Sequence, residues 1–179
     1  YNQLAYFMTH PLMSTQNRPY GREGGLSLTH IEKAILLCPC LETKNGTRTK
    51  VLNETTQQML DSLNEEKIEQ LVNTHQIQPY GGTPWQKAYV GGSDDHSGLN
   101  PGETYTWFPI GNKALEMVNA NDLVMAIRYR KTIPDGADGG PLTLAHAVTK
   151  IMYQHQFHAP KQKKTSKSIQ FDGSIHELL

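Results

Sequence analysis

Short apolar runs alternate with amphipathic stretches along the chain, the pattern of an α/β fold in which strands and helices take turns. Ala5 to Met8 reads as a strand that delivers His10 to its C-terminal end. A helix is expected from Thr29, where Thr29 and Glu32 match a capping box and Ile31, Ala34 and Ile35 form an apolar face that stops at Pro39. Cys40 to Thr43 is the next strand, closed by the turn signal Asn45-Gly46. Val51, Thr55, Met59 and Leu63 recur at helical spacing and predict a second helix. Asn64 caps a third, whose face is Ile68, Leu71, Val72 and His75. The loop Gly81-Gly82-Thr83-Pro84 leads into a strand at Ala88 to Val90. Further on, Asn121 caps a helix through Ile127 and Arg130, Pro134-Asp135-Gly136 breaks it, and Thr143 to Phe157 forms the last helix. No internal repeat is visible.

Composition narrows this picture. At 179 residues, 37% of them hydrophobic, the chain can build the core of one domain but not of two sizeable ones. Lys plus Arg equals Asp plus Glu at 17 each, so no global field draws the chain to nucleic acid or anionic lipid, and any polyanion contact must be local. No apolar run approaches a membrane span, and the opening Tyr1-Asn2-Gln3 has neither the basic nor the apolar part of a signal peptide. A start without Met, already close to a strand, reads as a fragment. Beyond Pro160 the lysines Lys161, Lys163, Lys164 and Lys167 mark residues 159–179 as a basic, solvated linker or the start of a further segment; a phosphate-backbone contact is the lesser reading. Cys38-Pro39-Cys40 lacks redox or zinc-pair spacing and reads as two small buried hydrophobes entering the Leu41-Glu42 strand, with a reduced, cytoplasmic setting following from it.

The stretch richest in chemistry is Gly91-Gly92-Ser93-Asp94-Asp95-His96-Ser97-Gly98. Side chains two apart on extended chain share a face, so Asp94 and His96 are expected to converge while Asp95 points away. Carboxylate oxygen with neutral imidazole nitrogen suits Zn, Mn or Fe, in mixed sets more typical of hydrolytic than of structural sites. The bland alternative is a strand-end turn capped by Asp94, with His96 merely exposed. Around this stretch, Pro11 is expected to hold His10 in extended chain. Glu42, beside Asn45 at a strand end, is placed either to orient a ligand or a water or simply to cap the turn. Arg48 is the arginine best positioned to clamp a phosphate, with Arg18 and Arg22 in the polar loop after His10 as further grips. Arg48, Asn45, Glu42 and Arg18 are thus the expected substrate contacts. His30, His75, His146, His155 and His158 lack ligand-like spacing to a carboxylate and read as structural. Trp85 and Trp107 flank the site segment and read as core residues, with base stacking as the costlier explanation.

Three segments in order, Thr9-His10-Pro11-Leu12, Leu41-Glu42-Thr43-Lys44-Asn45-Gly46 and Gly92 to Leu99, resemble the later motifs of the polymerase-and-histidinol-phosphatase (PHP) family. Tyr105-Thr106 and the run from Gly139 to His146 extend the resemblance over roughly residues 1–155, within a PHP-like domain of residues 1–158. It implies a distorted β/α barrel, seen here as its C-terminal portion, with up to three divalent metal ions at the strand ends and phosphoester hydrolysis as the activity. It makes His10, Asp94 and His96 metal ligands, Asp94 and His96 catalytic, and the cofactor two or three ions of Zn, Mn or Fe in an intact site. The implied substrate is a phosphorylated small molecule, a nucleotide or a nucleic-acid end. The family opens with a His-x-His strand upstream of its His-Pro motif, whereas His10 is the first histidine here. Either an N-terminal half or another domain supplies the missing ligands, or the chain is a degenerate module that scaffolds a partner without catalysis. A nuclease acting on DNA or RNA ends is a further alternative, resting on the Lys161 to Lys167 run and the local arginines.

Overall fold

A computed structural model of the protein describes residues 5–12 and 27–158; Arg18, Arg22 and residues 159–179 lie outside the described residues, as do the side chains of His155 and His158. At its centre β1 (Cys40–Asn45) pairs in parallel with β2 (Ala88–Gly92), Cys40 opposite Ala88 and Asn45 opposite Gly92. On the other edge of β1, Met8 forms a parallel bridge with Leu41. Its N–H donates to the Cys40 carbonyl at 3.2 Å and its own carbonyl accepts from the Glu42 N–H at 2.9 Å. The strand expected over Ala5 to Met8 is therefore a single bridge. Three segments still run the same way and end at the same edge, in His10, Asn45 and the loop that begins at Ser93.

Layers cover β1 on both sides, as parallel strands require. Leu41 faces Ile31, Ile35, Leu36, Leu60 and Ile68 from three helices, while Cys40, pointing the opposite way, packs with Ala88, Val90 and Ile127. Burial pushes the Cys40 thiol up to about 12, and both cysteines are free.

Helix α1 (Leu28–Leu37) is capped two residues before the expected position, at Ser27 rather than Thr29. Ser27 and His30 form the reciprocal box, and Glu32 instead meets His75 Nε2 at 2.7 Å across to α3 (Glu65–His75). The α3 cap at Asn64 and its buried Ile68 are as expected. In α2 (Lys50–Asp61) the buried positions are Asn53, Thr56 and Leu60, whereas Val51, expected inside, is 69% exposed. The reason is polar: the helix lies on the end of β1, where Asn53 Oδ1 accepts from the Asn45 N–H at 3.1 Å and its Nδ2 donates to the Asn45 carbonyl at 3.2 Å. Satisfying those buried backbone groups outweighs the burial of one valine.

The segment Pro134-Asp135-Gly136, expected to break the preceding helix, lies beyond that helix, which ends at Arg128, and belongs to β4 (Ile133–Gly136), antiparallel to β3 (Thr104–Trp107). Thr106 ties this ribbon to β2: its Oγ1 accepts from Gly91 N–H and donates to Gly91 carbonyl, both at 2.8 Å. Gly91 is needed there, because a Cβ would stand 2.9 Å from the Tyr105 carbonyl oxygen. Trp85 packs against the helical core, but Trp107 is 57% exposed and donates to Asp135 Oδ2 at 3.2 Å, so it is not the core residue expected. Helix α4 (Ala120–Arg128) is capped by Asn119 rather than Asn121, and α5 (Pro141–Tyr153) runs on into a π-helical turn at Gln154–His158. The architecture is mixed α/β; among the described residues the strands form two two-stranded sheets and close no barrel, and no helix is long and apolar enough to cross a membrane.

Candidate functional site

The bridge at Met8 sets His10 beside the buried Glu42. One carboxylate oxygen, Glu42 Oε2, takes the His10 backbone N–H at 2.9 Å, lies 2.8 Å from His10 Nδ1, and accepts from Asn45 Nδ2 at 3.1 Å. Asn45 Nδ2 also stands 2.8 Å from His10 Nδ1. Asn45 cannot turn its oxygen toward His10, because Oδ1 is occupied by the Thr47 N–H at 2.9 Å. That ring nitrogen can accept from Asn45 or donate to Glu42 but not both, so the charge-assisted partner decides: Nδ1–H donates to Glu42, and the neutral ring keeps its Nε2 lone pair free on the far side. The hydrogen bond to Glu42 raises the His10 pKa above its ordinary value, the negative charges of Glu42 and Asp94 act in the same sense, and burial and Arg48 oppose them.

His10 Nε2 faces Asp94, whose Oδ2 is 3.5 Å away. On the other side of that carboxylate, His96 Nε2 lies 3.3 Å from Oδ1. Thr47 Oγ1 approaches Oδ2 at 2.8 Å, and Arg48 Nη2 stands 3.9 Å from it. Asp95 turns the other way: its oxygens accept from the Ser97 N–H and Oγ and from the Asn100 N–H, which holds its carboxyl below the usual range. Asp94 rather than Asp95 thus meets the histidines, but strand alternation is not the cause. β2 ends at Gly92, and Asp94 has φ 48, a left-handed conformation that non-glycine residues rarely adopt. His10 has φ 46 and is not extended either. Both site residues sit in backbone that their surroundings impose, a pattern that concentrates at functional sites.

The turn beneath them is held from several sides. Gly46 lets the chain pass close, since a Cβ would fall 2.7 Å from Thr104 Oγ1 and 2.8 Å from the Ser93 carbonyl oxygen. Asn53 Nδ2 donates to Asp138 Oδ1 at 2.7 Å, Lys44 Nζ reaches the same oxygen at 3.2 Å, and the Gly139 N–H donates to the Arg48 carbonyl at 2.7 Å. Thr47, Asn53 and Asp138 were not legible as site residues. The Asn-x-Thr spacing of an Asx turn could have flagged Thr47; nothing local marks Asp138.

His10 and Glu42 form a wall shared by two cavities. One, of about 280 Å³, is lined by Asn45, Arg48, Asn53 and Thr56; the other, of about 320 Å³, by Asp94, Phe7, Phe108 and Ile127. The structure therefore gathers His10, Glu42, Asn45, Arg48, Asp94 and His96 at one edge, while Arg18 lies outside the described residues. His30 serves the α1 cap and His75 pairs with Glu32. In kind, the donors around Asp94 suit a divalent cation of the Zn, Mn or Fe type. In number they fall short: among the described residues no group of three or more His, Cys, Asp or Glu is arranged to hold a metal ion. Comparison with protein-family models, with curated proteins and with solved structures finds no match for this chain.

Proposed function

We propose that the site belongs to a metal-dependent phosphoesterase of the PHP type, of whose barrel these residues form the C-terminal portion. One observation carries the reading: the Asp94 carboxylate lies between the Nε2 atoms of His10 and His96, and His10 is turned toward it by Glu42 on the opposite ring nitrogen. Lone pairs and negative charge that meet without enough protons between them are stabilised by a cation. His10, Asp94 and His96 would supply part of its ligand set, completed by donors from outside the described residues, and Glu42 would fix the His10 tautomer and raise its basicity, as carboxylates behind metal-bound histidines do. When bound, a divalent ion of the Zn, Mn or Fe class supplies a water acidified toward neutrality and charge to offset that of a phosphoryl oxygen. Arg48 would neutralise and orient the phosphoryl group from the 280 Å³ cavity, with Asn45 holding the turn between them. A site for two or three ions takes about twice as many ligands as one for a single ion, so the reading requires donors from outside these residues.

A second reading, a degenerate module that scaffolds a partner, is favoured by the shortage of donors. Equilibrium dialysis against Zn²⁺ and Mn²⁺, paired with hydrolysis assays on a phosphomonoester, a dinucleotide and single-stranded DNA, separates the two. Metal uptake that His10→Ala and Asp94→Ala abolish supports the metal site; turnover by the intact protein makes it an enzyme. Failure of the wild-type chain to take up either metal leaves the scaffold. Steep salt dependence of binding to the single strand would favour a nuclease among the phosphoesterase readings.

A further inference from the structure

A third cavity, of about 170 Å³, lies away from the strand ends, between the chain that follows α1 and the C-terminal end of α4. Pro39, Tyr80, Thr83, Lys87, Arg128 and Arg130 line it, and no carboxylate is among its described lining residues. Lys87 is only 6% exposed, and its Nζ donates to the Ile35 carbonyl at 2.5 Å and the Cys38 carbonyl at 3.0 Å. An ammonium has three donors, so one remains. Arg130 is held by Nε to the Gln86 carbonyl at 2.9 Å and by Nη2 to Thr83 Oγ1 at 2.5 Å, which leaves Nη1 uncommitted by these contacts.

Two helix ends account for part of this charge. The C-termini of α1 and α4 each carry about half a negative charge, and cations are favourable there. Lys87 and Arg130 together exceed those two ends by about one full positive charge. Lys87 is the buried member of the pair and Arg130 the exposed one: burial chiefly lowers the Lys87 amine to about 8, Cys38 acts in the opposite sense, and the charge of Arg130 adds a smaller push downward. A guanidinium fork beside an ammonium is a combination that matches tetrahedral oxyanions.

We infer that this cavity binds a phosphate group, free or at the end of a small ester, held by the remaining donors of Lys87 and Arg130. The inference does not depend on the chemistry proposed at the strand ends. Calorimetric titration with inorganic phosphate and with methyl phosphate at constant ionic strength, on the full 179-residue chain, tests it. Binding should weaken about tenfold or more in Arg130→Gln, whose side chain is exposed enough to spare the fold, and should vanish in Lys87→Met. Because Lys87→Met also removes two contacts to α1, the second readout is the Lys87 amine itself: saturating phosphate should move its titration, followed by nitrogen NMR, upward from about 8. Tighter binding of the ester assigns the end of a phosphomonoester, and tighter binding of the free ion assigns phosphate; both support the site. Absence of millimolar binding to the wild-type chain, or binding that leaves the Lys87 titration and the Arg130→Gln affinity unchanged, overturns it.

Discussion

Two histidine–carboxylate pairs of almost equal length occur in this protein, and they have different roles. His75 Nε2 meets Glu32 at 2.7 Å between α3 and α1, and His10 Nδ1 meets Glu42 at 2.8 Å at the end of β1. The first joins two helices over the hydrophobic core. The second leaves the remaining ring nitrogen directed at another carboxylate, Asp94, on a wall between two cavities. A short contact between imidazole and carboxylate therefore says little by itself; what faces the other nitrogen decides whether the pair is a strut or part of a site.

The largest effect expected at this contrast is on metal uptake. Asp94→Ala removes the group between both imidazoles and should abolish Zn²⁺ and Mn²⁺ binding in dialysis, whereas His75→Ala should leave uptake intact; equal loss from both would erase the distinction. Glu42→Gln comes next. It keeps the shape but weakens the orientation of His10, and should lower metal affinity about 10- to 100-fold, as the loss of a partner behind a metal-bound histidine typically does.

The same substitution tests the protonation of His10 in the metal-free protein. Because the hydrogen bond to Glu42 raises the folded pKa above 6.5, protonated His10 stabilises the fold fully below the unfolded value of 6.5, and this is lost as pH rises through the folded value. Thermal unfolding followed across this range should show the stability advantage of wild type over Glu42→Gln shrinking as pH rises through that window. A constant or growing advantage would mean that Glu42 does not bind the imidazolium. For the helix-joining pair the expected change is in stability alone: Glu32→Gln should cost on the order of 1 kcal/mol, read as a shift in the denaturant midpoint, with metal uptake unchanged. Asp95→Asn should have the smallest effect, since the amide retains an acceptor for Ser97 and the side chain is turned away from Asp94. Metal loss matching that of Asp94→Ala would place the ligand on the wrong aspartate.

Several elements were legible because their signals are local. Asn64 caps α3, Cys40 opens β1 and Asn45-Gly46 ends it, all readable from residues within a few positions of one another. Where local signals misled, a distant partner had taken the residue. Glu32 left the capping box for His75, and the inner face of α2 went to Asn53 because the Asn45 backbone needed partners. The selection of Asp94 over Asp95 came out as expected for a different reason, since a left-handed residue and an Asx-type loop replaced the extended chain.

By itself, the sequence determined the alternation of helices and strands and the donor types on offer: a His-Pro pair, a Glu-x-x-Asn-Gly strand end and an Asp-Asp-His run, in a chain without net charge. Spacing and side-chain chemistry are properties of neighbouring residues, and they survive without a fold. Only the tertiary structure decided that Glu42 takes Nδ1 of His10, that Asp94 stands between two imidazoles, and that Asp138 reaches Asn53 beneath them. Those contacts join segments far apart in the chain, and their geometry follows from the parallel register of β1 and β2 and the close passage at Gly46, which no local pattern encodes.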